Sequence, residues 1–214
     1  MKKQGIFITF EGVDGTGKST HARLFLERLH AEGYAAILTR EPGGTKVAEK
    51  IREILLTDCG EVVSPRSEAL LYAAARAQHV FRVIRPALEE GQVVLCERFS
   101  DSTLAYQGYG TGLDLAVLQA ADGIATDGLR PELTFLFTLR PEECWERVEK
   151  RNAGSGHDLI EARGLEFQER VYQGYLRLAQ EDPVRIKQVE CGGKKPQEIQ
   201  EMLWTYFVKA KAKA

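Results

Sequence analysis

The sequence predicts an α/β protein: a five-stranded, mainly parallel sheet with helices on both faces. Three observations carry this. Short apolar runs of strand length alternate with stretches of helical periodicity along the chain. A glycine-rich loop separates the first run from the first helix. Charged residues recur just past the ends of the first three runs, where ligands gather in open sheets of this kind.

The elements follow in order. Residues 5–10, Gly5-Ile6-Phe7-Ile8-Thr9-Phe10, form an apolar stretch of buried-strand length. Residues 22–29 carry apolar side chains at helical spacing. A second strand spans 35–39, and Glu41-Pro42-Gly43-Gly44-Thr45 reads as a turn because Pro and paired Gly break regular structure. A helix covers 46–56. Ser64 then caps a long helix with Pro65 at its first position, and Gly91 stops it. The third strand is 92–96, followed by a helix over 113–124 and a fourth strand over 133–137. A helix at 141–151 leads into a glycine-containing loop at 152–158, and a long helix spans 165–180. Residues 184–189 alternate apolar and polar, as an edge strand does. A last helix covers 196–209, and the Lys-Ala tail beyond it is expected to fray.

Composition bounds the function. One domain is expected from 214 residues, with 43% hydrophobic and 28% charged residues typical of a globular protein. A formal net charge of -2 argues against nucleic-acid binding, and no apolar run reaches the length of a membrane span. The start, Met1-Lys2-Lys3-Gln4, lacks the apolar segment of a signal peptide. Cys59, Cys96, Cys144 and Cys191 are too far apart for a metal motif and read as reduced thiols of a cytoplasmic protein.

Gly12-Val13-Asp14-Gly15-Thr16-Gly17-Lys18-Ser19 fits G-x-x-x-x-G-K-[ST] at every fixed position. Strand, glycine loop and helix together aim backbone N–H groups and a helix N-terminus at a polyphosphate. Lys18 is placed to reach the terminal phosphates, and Ser19 to hold a magnesium ion bridging them. Asp14, Arg40-Glu41 and Glu97-Arg98 follow the first three strands and predict a second binding site on the same edge. Tyr72 and Arg76 share a helix face at i and i+4. A stacked base and a ring carbonyl suit that pair, although a surface pair fits the spacing equally well. Thr103, Tyr106 and Gln107 form a further cluster, in which Gln can serve N3–H and O4 of a pyrimidine. Residues 147–163 mix arginines with Gly154 and Gly156 and read as a mobile flap that brings an arginine to the transferring phosphate.

These motifs together resemble the bacterial thymidylate kinase family, a group of P-loop nucleoside monophosphate kinases. The resemblance rests on 10–20 through the phosphate loop, on Thr39-Arg40-Glu41-Pro42-Gly43-Gly44-Thr45, and on Leu70-Leu71-Tyr72-Ala73-Ala74 with Arg76-Ala77-Gln78-His79. Its most specific block is Glu97-Arg98-Phe99 with Ser102-Thr103-Leu104-Ala105-Tyr106-Gln107-Gly108. It implies transfer of the ATP γ-phosphate to dTMP, giving dTDP, with Mg2+ and in a homodimer. The loop from Gly12 through Ser19 and Thr20 would hold ATP. Tyr72 would stack on thymine, Arg76 face its carbonyl, and Thr103, Tyr106 and Gln107 line base and sugar. Arg98 would grip the dTMP phosphate, Asp14 would lie near the 3′-hydroxyl, and Glu41 belongs to the same acceptor site. Ser19 and Glu97 are the metal candidates. With glycine at Gly15, the resemblance implies a catalytic arginine from the flap, first Arg151 and then Arg147. The chain departs from the family pattern at Glu97 and Ala75, where Asp is usual, at Thr111, where Arg is common, and at Leu159. Two alternatives fit the same motifs: a kinase of another nucleoside or monophosphate, or a nucleotide-binding subunit with little turnover.

Overall fold

Strand β1 (Ile6–Glu11) is buried at every position, and the sheet extends from it to both sides. The computed structural model describes residues 5–58, 60–153 and 158–212. Residues 1–4, Cys59, Gly154, Gly156, Lys213 and Ala214 lie outside the described residues. The other strands are β2 (Ala36–Arg40), β3 (Val93–Glu97), β4 (Leu133–Thr138) and β5 (Ile186–Glu190). Their order is β2-β3-β1-β4-β5, and all four pairings are parallel. The expected edge strand β5 is at an edge. All five strands run one residue further than their apolar runs suggest, four of them taking in a charged residue, Glu11, Arg40, Glu97 or Glu190, and β4 taking in Thr138. The parallel ladder continues past the first charged side chain, because the ladder is a backbone property.

The principal helices are α1 (Lys18–Ala31), α2 (Lys46–Leu56), α3 (Pro65–His79), α4 (Arg85–Glu89), α5 (Ser100–Thr103), α6 (Leu115–Thr126), α7 (Pro141–Asn152), α8 (Leu165–Glu181) and α9 (Pro196–Lys211). Sheet faces are filled by alternate residues, as a period of two requires. Ile6, Ile8 and Phe10 pack with Phe25, Phe135 and Phe207 beneath α1 and α9. Phe7 points the other way, to Val80, Ile84, Val94 and Phe99. A further cluster joins α8 to Val13, Tyr106 and Leu136. Burying one such aromatic ring stabilises the fold by about 2–3 kcal/mol.

The long helix expected from Ser64 to Gly91 is interrupted. Ser64 caps it as expected, its hydroxyl accepting from the Ser67 N–H at 3.1 Å. A π-helical segment, Val80–Ile84, then separates α3 from α4. Pro86 withholds its N–H and its ring crowds the carbonyl of Arg82, so the turn before it widens. A second π segment, Leu104–Gly110, follows α5 where the sequence suggested only a cluster. The tail also differs from expectation: α9 continues to Lys211, whose ammonium sits 3.6 Å from the Tyr34 ring centroid. Alanine and lysine are good helix formers, and a cation near the C-terminus favours the helix dipole. Cys96, Cys144 and Cys191 are buried free thiols.

The end of β1 is anchored by an acid. Glu11 is fully buried. Its carboxylate accepts the Phe99 N–H at 2.7 Å, the Ser102 hydroxyl at 2.6 Å and the Tyr175 hydroxyl at 2.9 Å. One side chain thereby ties β1 to the turn after β3, to α5 and to α8. Burial and then the neighbouring Asp101 carboxylate push Glu11 up to about 7, against the partial relief of its hydroxyl donors and Arg98.

The unfolded chain releases this proton near 4.5 and the folded chain near 7. Between those values the folded state holds the extra proton, so the Glu11 contribution to stability falls as pH rises. Glu11→Gln removes this titration. Urea unfolding should show the variant gaining roughly 2–4 kcal/mol relative to wild type between about pH 4 and about pH 8. A constant difference across that range would rule out the assignment.

Candidate active site

Three glycines set the path of the phosphate loop, two of them at a close approach to neighbouring backbone. Gly12, Gly15 and Gly17 adopt φ of 134°, 89° and 90°, a region costly for residues with a Cβ. A Cβ on Gly12 would lie 2.5 Å from the Phe137 carbonyl oxygen, and one on Gly15 2.4 Å from that of Cys144. The loop therefore nests against β4 and α7. Gly17 caps α1 without a side-chain hydrogen bond, leaving that role open to a bound anion. Thr16 braces the loop through its hydroxyl, which donates to the Val13 carbonyl at 2.9 Å. Thr20 stands exposed on the first turn of α1.

Two cations meet over this loop. Lys18 Nζ donates to the Val13 carbonyl at 3.3 Å and to Asp14 Oδ1 at 3.0 Å. Arg98 Nη2 donates to the same Asp14 oxygen at 2.9 Å. Burial works to raise the Asp14 carboxyl, but Lys18 and Arg98 outweigh it and hold the group well below the usual carboxylate range. Burial and then the Arg98 charge lower the Lys18 pKa, while Asp14 acts in the opposite sense.

Arg98 is positioned by strained backbone. It follows β3 directly with φ 65°, left-handed for a non-glycine residue, at a cost on the order of 1–2 kcal/mol. Its N–H donates to the Phe10 carbonyl at 3.0 Å, locking the turn to β1. The guanidinium also donates to the hydroxyls of Tyr106 at 3.0 Å, and of Ser102 and Tyr175 at 3.3 Å each. β1 and β3 are neighbours, with Phe10 opposite Glu97, so Asp14 and Arg98 emerge side by side.

Glu97 is the last residue of β3 and immediately precedes Arg98. Its Oε2 accepts from the Ser19 hydroxyl at 2.5 Å. Two hard oxygens this close, beside the loop, fit a magnesium ion. The longer Glu side chain keeps this carboxylate within reach of Ser19. Another cluster, Glu41, His79 and Cys96, has its candidate ligand atoms within 4.8 Å of one another. It is poorly suited to a metal. Glu41 is engaged by Arg76 and His79, and burial pushes the Cys96 thiol well up, which keeps it protonated.

A cavity of about 310 Å³ opens beside Arg98 and is also lined by Asp14, Glu41, Tyr72, Arg76, Thr103, Tyr106, Gln107 and Arg151. The sequence-predicted acceptor residues thus converge on one space. Arg76 is only 2% exposed, which excludes the surface-pair reading of Tyr72 and Arg76. Its Nε donates to Glu41 at 2.7 Å, and its Nη1 to Asp122 at 2.7 Å and to Thr103 at 3.0 Å. Gln107 donates through Nε2 to Glu68 Oε1 at 2.7 Å. Arg40, expected on this edge, instead pairs with Glu49 on an exposed surface, where β2 is the outermost strand.

The two flap candidates separate. Arg151 lies at the end of α7, lines the cavity and pairs with Glu161, which begins the short helix Glu161–Arg163. Arg147 is one turn earlier and donates to the Gly15 carbonyl at 3.2 Å, outside the cavity lining.

Sequence reasoning missed Glu11, Glu68, Asp122 and Tyr175, which hold the contacting residues, and Arg52, which lines the cavity. Glu68 alone had a local signal: it precedes Tyr72 and Arg76 at the same four-residue interval on α3. The others are brought in by packing between elements distant in sequence.

Known proteins resemble this chain along most of its length. The thymidylate kinase family model matches residues 10–203. The thymidylate kinase of a Synechococcus strain is 50% identical over 200 residues, 94% of this chain and 93% of its own. That of an Exiguobacterium strain is 50% identical over 187 residues, 87% of each chain. The crystal structure of thymidylate kinase from Ehrlichia chaffeensis superposes with a TM-score of 0.78 at 30% identity, covering 95% of this chain and 99% of that one. The chain belongs to the thymidylate kinase family, ATP-dependent kinases of a nucleoside monophosphate.

Proposed function

We propose that this protein transfers the γ-phosphate of ATP to dTMP by direct in-line attack. The observation that carries the reading is Asp14, which holds the loop cation Lys18 and the acceptor clamp Arg98 on one carboxylate oxygen. Main-chain N–H groups from Gly12 to Ser19, with Thr20 beside them, cradle the ATP phosphates. The dTMP phosphate replaces ordered partners of Arg98 and lies in line with the loop. A dTMP oxygen attacks the γ-phosphorus, the bond to the β-phosphate oxygen breaks, and ADP leaves. The attacking oxygen is already ionised, so no strong base is required. Catalysis then rests on positioning and charge neutralisation by Lys18, Arg98 and a flap arginine.

Ser19 and Glu97 would hold Mg2+, which would neutralise charge on the ATP phosphates. Tyr72 offers a ring to the base, Arg76 a donor to its carbonyl, and Thr103, Tyr106 and Gln107 complete the lining, with Glu41 acting through Arg76. Residues 147–153 and 158–163 belong to the proposed flap within one kinase domain. Arg151 is the better catalytic candidate because it alone of the two lines the cavity.

The enzyme is assigned to the cytoplasm as a homodimer. Among the described residues no helix is long and apolar enough to cross a membrane. Leu70, Phe81, Val117 and Ile124 stand exposed on α3, the π segment after it and α6, elements that adjoin one another. Covering such apolar side chains favours a second copy.

The test is steady-state kinetics with ATP and dTMP. Arg98→Ala should raise KM for dTMP by about 100-fold while moving KM for ATP less than about threefold. Equal changes in both would remove Arg98 from the acceptor site. Arg151→Ala should lower kcat by roughly 100-fold, with a smaller effect from Arg147→Ala. A larger effect at Arg147 would exchange their roles.

A further inference from the structure

We propose that Glu68 determines which pyrimidine the acceptor site takes, by fixing the orientation of the Gln107 side-chain amide. This rests on the reading of the cavity as the seat of a pyrimidine monophosphate. A glutamine amide is nearly symmetric in shape and opposite in chemistry at its two ends, so its neighbours choose which end faces a ligand.

Here the choice is made behind the cavity wall. Glu68 is 4% exposed and does not line the cavity. Its Oε1 accepts from Gln107 Nε2 at 2.7 Å. Its Oε2 is held by the Arg163 guanidinium, from the short helix that ends the flap segment. A carboxylate paired in this way only accepts. Turning the Gln107 amide over would set two acceptor oxygens against each other in a buried place, a cost that selects one orientation.

Gln107 therefore presents its carbonyl elsewhere. Gln107 lines the cavity while its Nε2 is turned to Glu68, so Oε1 is the amide end left to face a ligand. Thr103, four residues earlier, accepts from Arg76, which places the two readers about one turn apart. Arg76 can only donate, and Glu41 and Asp122 hold it from behind. The cavity thus offers a fixed donor and a fixed acceptor. Thymine and uracil match this pair with O4 and N3–H. Cytosine reverses both, carrying an amino donor at C4 and an acceptor at N3. Glu68 acts through Gln107 and is a positioning residue.

The test compares dTMP, dUMP and dCMP as acceptors with ATP. Wild type should favour dTMP and dUMP over dCMP by about 100-fold or more in kcat/KM, as expected where a buried polar group would go unmatched. Glu68→Gln frees the Gln107 amide to turn. It should narrow the dTMP-to-dCMP ratio by about tenfold and leave the dTMP-to-dUMP ratio unchanged. Glu68→Met, which offers neither donor nor acceptor, should do the same and serves if the first variant folds poorly. Arg163→Ala keeps the Glu68–Gln107 contact and should keep the ratio. In a Gln107→Ala background, Glu68→Gln should change the ratio no further.

A proportional loss towards all three acceptors in both Glu68 variants would reduce Glu68 to a structural role and overturn the inference. Equal use of dCMP by wild type would overturn it as well. Wild type that turns over none of the three would instead defeat the acceptor assignment beneath it.

Discussion

The site depends on a single carboxylate oxygen shared by two cations. Asp14 Oδ1 receives Lys18 at 3.0 Å and Arg98 at 2.9 Å. Without it, two positive groups would face each other in a partly buried space, and each would be driven towards solvent. With it, Lys18 and Arg98, the cations proposed for the two substrates, are held side by side in advance of binding. Both anions then meet groups already in position, so little reorganisation is left for the moment of transfer. The sheet makes this possible. β1 and β3 are adjacent although α1, β2, α2, α3 and α4 intervene in sequence, and the chain reverses direction across the sheet at β1. The crevice forms at that switch point, at the carboxyl ends of the strands.

A layer of acids behind the contacting residues holds them in place. Glu11 orients the hydroxyls of Ser102 and Tyr175, both of which touch Arg98. Glu41 and Asp122 hold Arg76, and Glu68 holds Gln107. Each of these acids has a donor, which offsets its desolvation fully where an arginine pairs with it and only in part at Glu11. The net charge of -2 conceals this arrangement, because the acids concentrate beneath the arginines they serve.

The sheet and most of the polar side chains that line the cavity were legible in the sequence, and most of their support was not. Phosphate-loop spacing locates Gly12 to Ser19 because the loop is local: the glycines, Lys18 and Ser19 lie within eight residues. Arg98 and Glu97 were legible because a strand must end before them and the ends of parallel strands share an edge. Strand ends were short by a residue because a charged side chain looks like a stop, whereas Glu11 ends β1 fully buried. The π segments at Val80–Ile84 and Leu104–Gly110 had no clear signature, since the apolar period there still resembles an α-helix. Asp122 could not be found from spacing, because its meeting with Arg76 crosses 46 positions of chain.

The flap arginine illustrates how such a site can be held ready without being held fast. Arg151 is 55% exposed at its side chain, and its partner Glu161 is 8% exposed. An exposed arginine loses little solvation on leaving a carboxylate, and an ion pair of this kind is worth little against the charge of a transferring phosphoryl group. Glu161 is the side at risk, because a buried carboxylate without donors is costly. It keeps donors when Arg151 departs: Asn152 Nδ2 at 2.7 Å and the Asp158 N–H at 3.3 Å. The acid is stable with or without the arginine, so Arg151 can exchange Glu161 for phosphate while the short helix Glu161–Arg163 stays anchored. That helix also carries Arg163, the partner of Glu68, so the segment proposed to supply charge to the reacting phosphate also reaches the side chain behind Gln107.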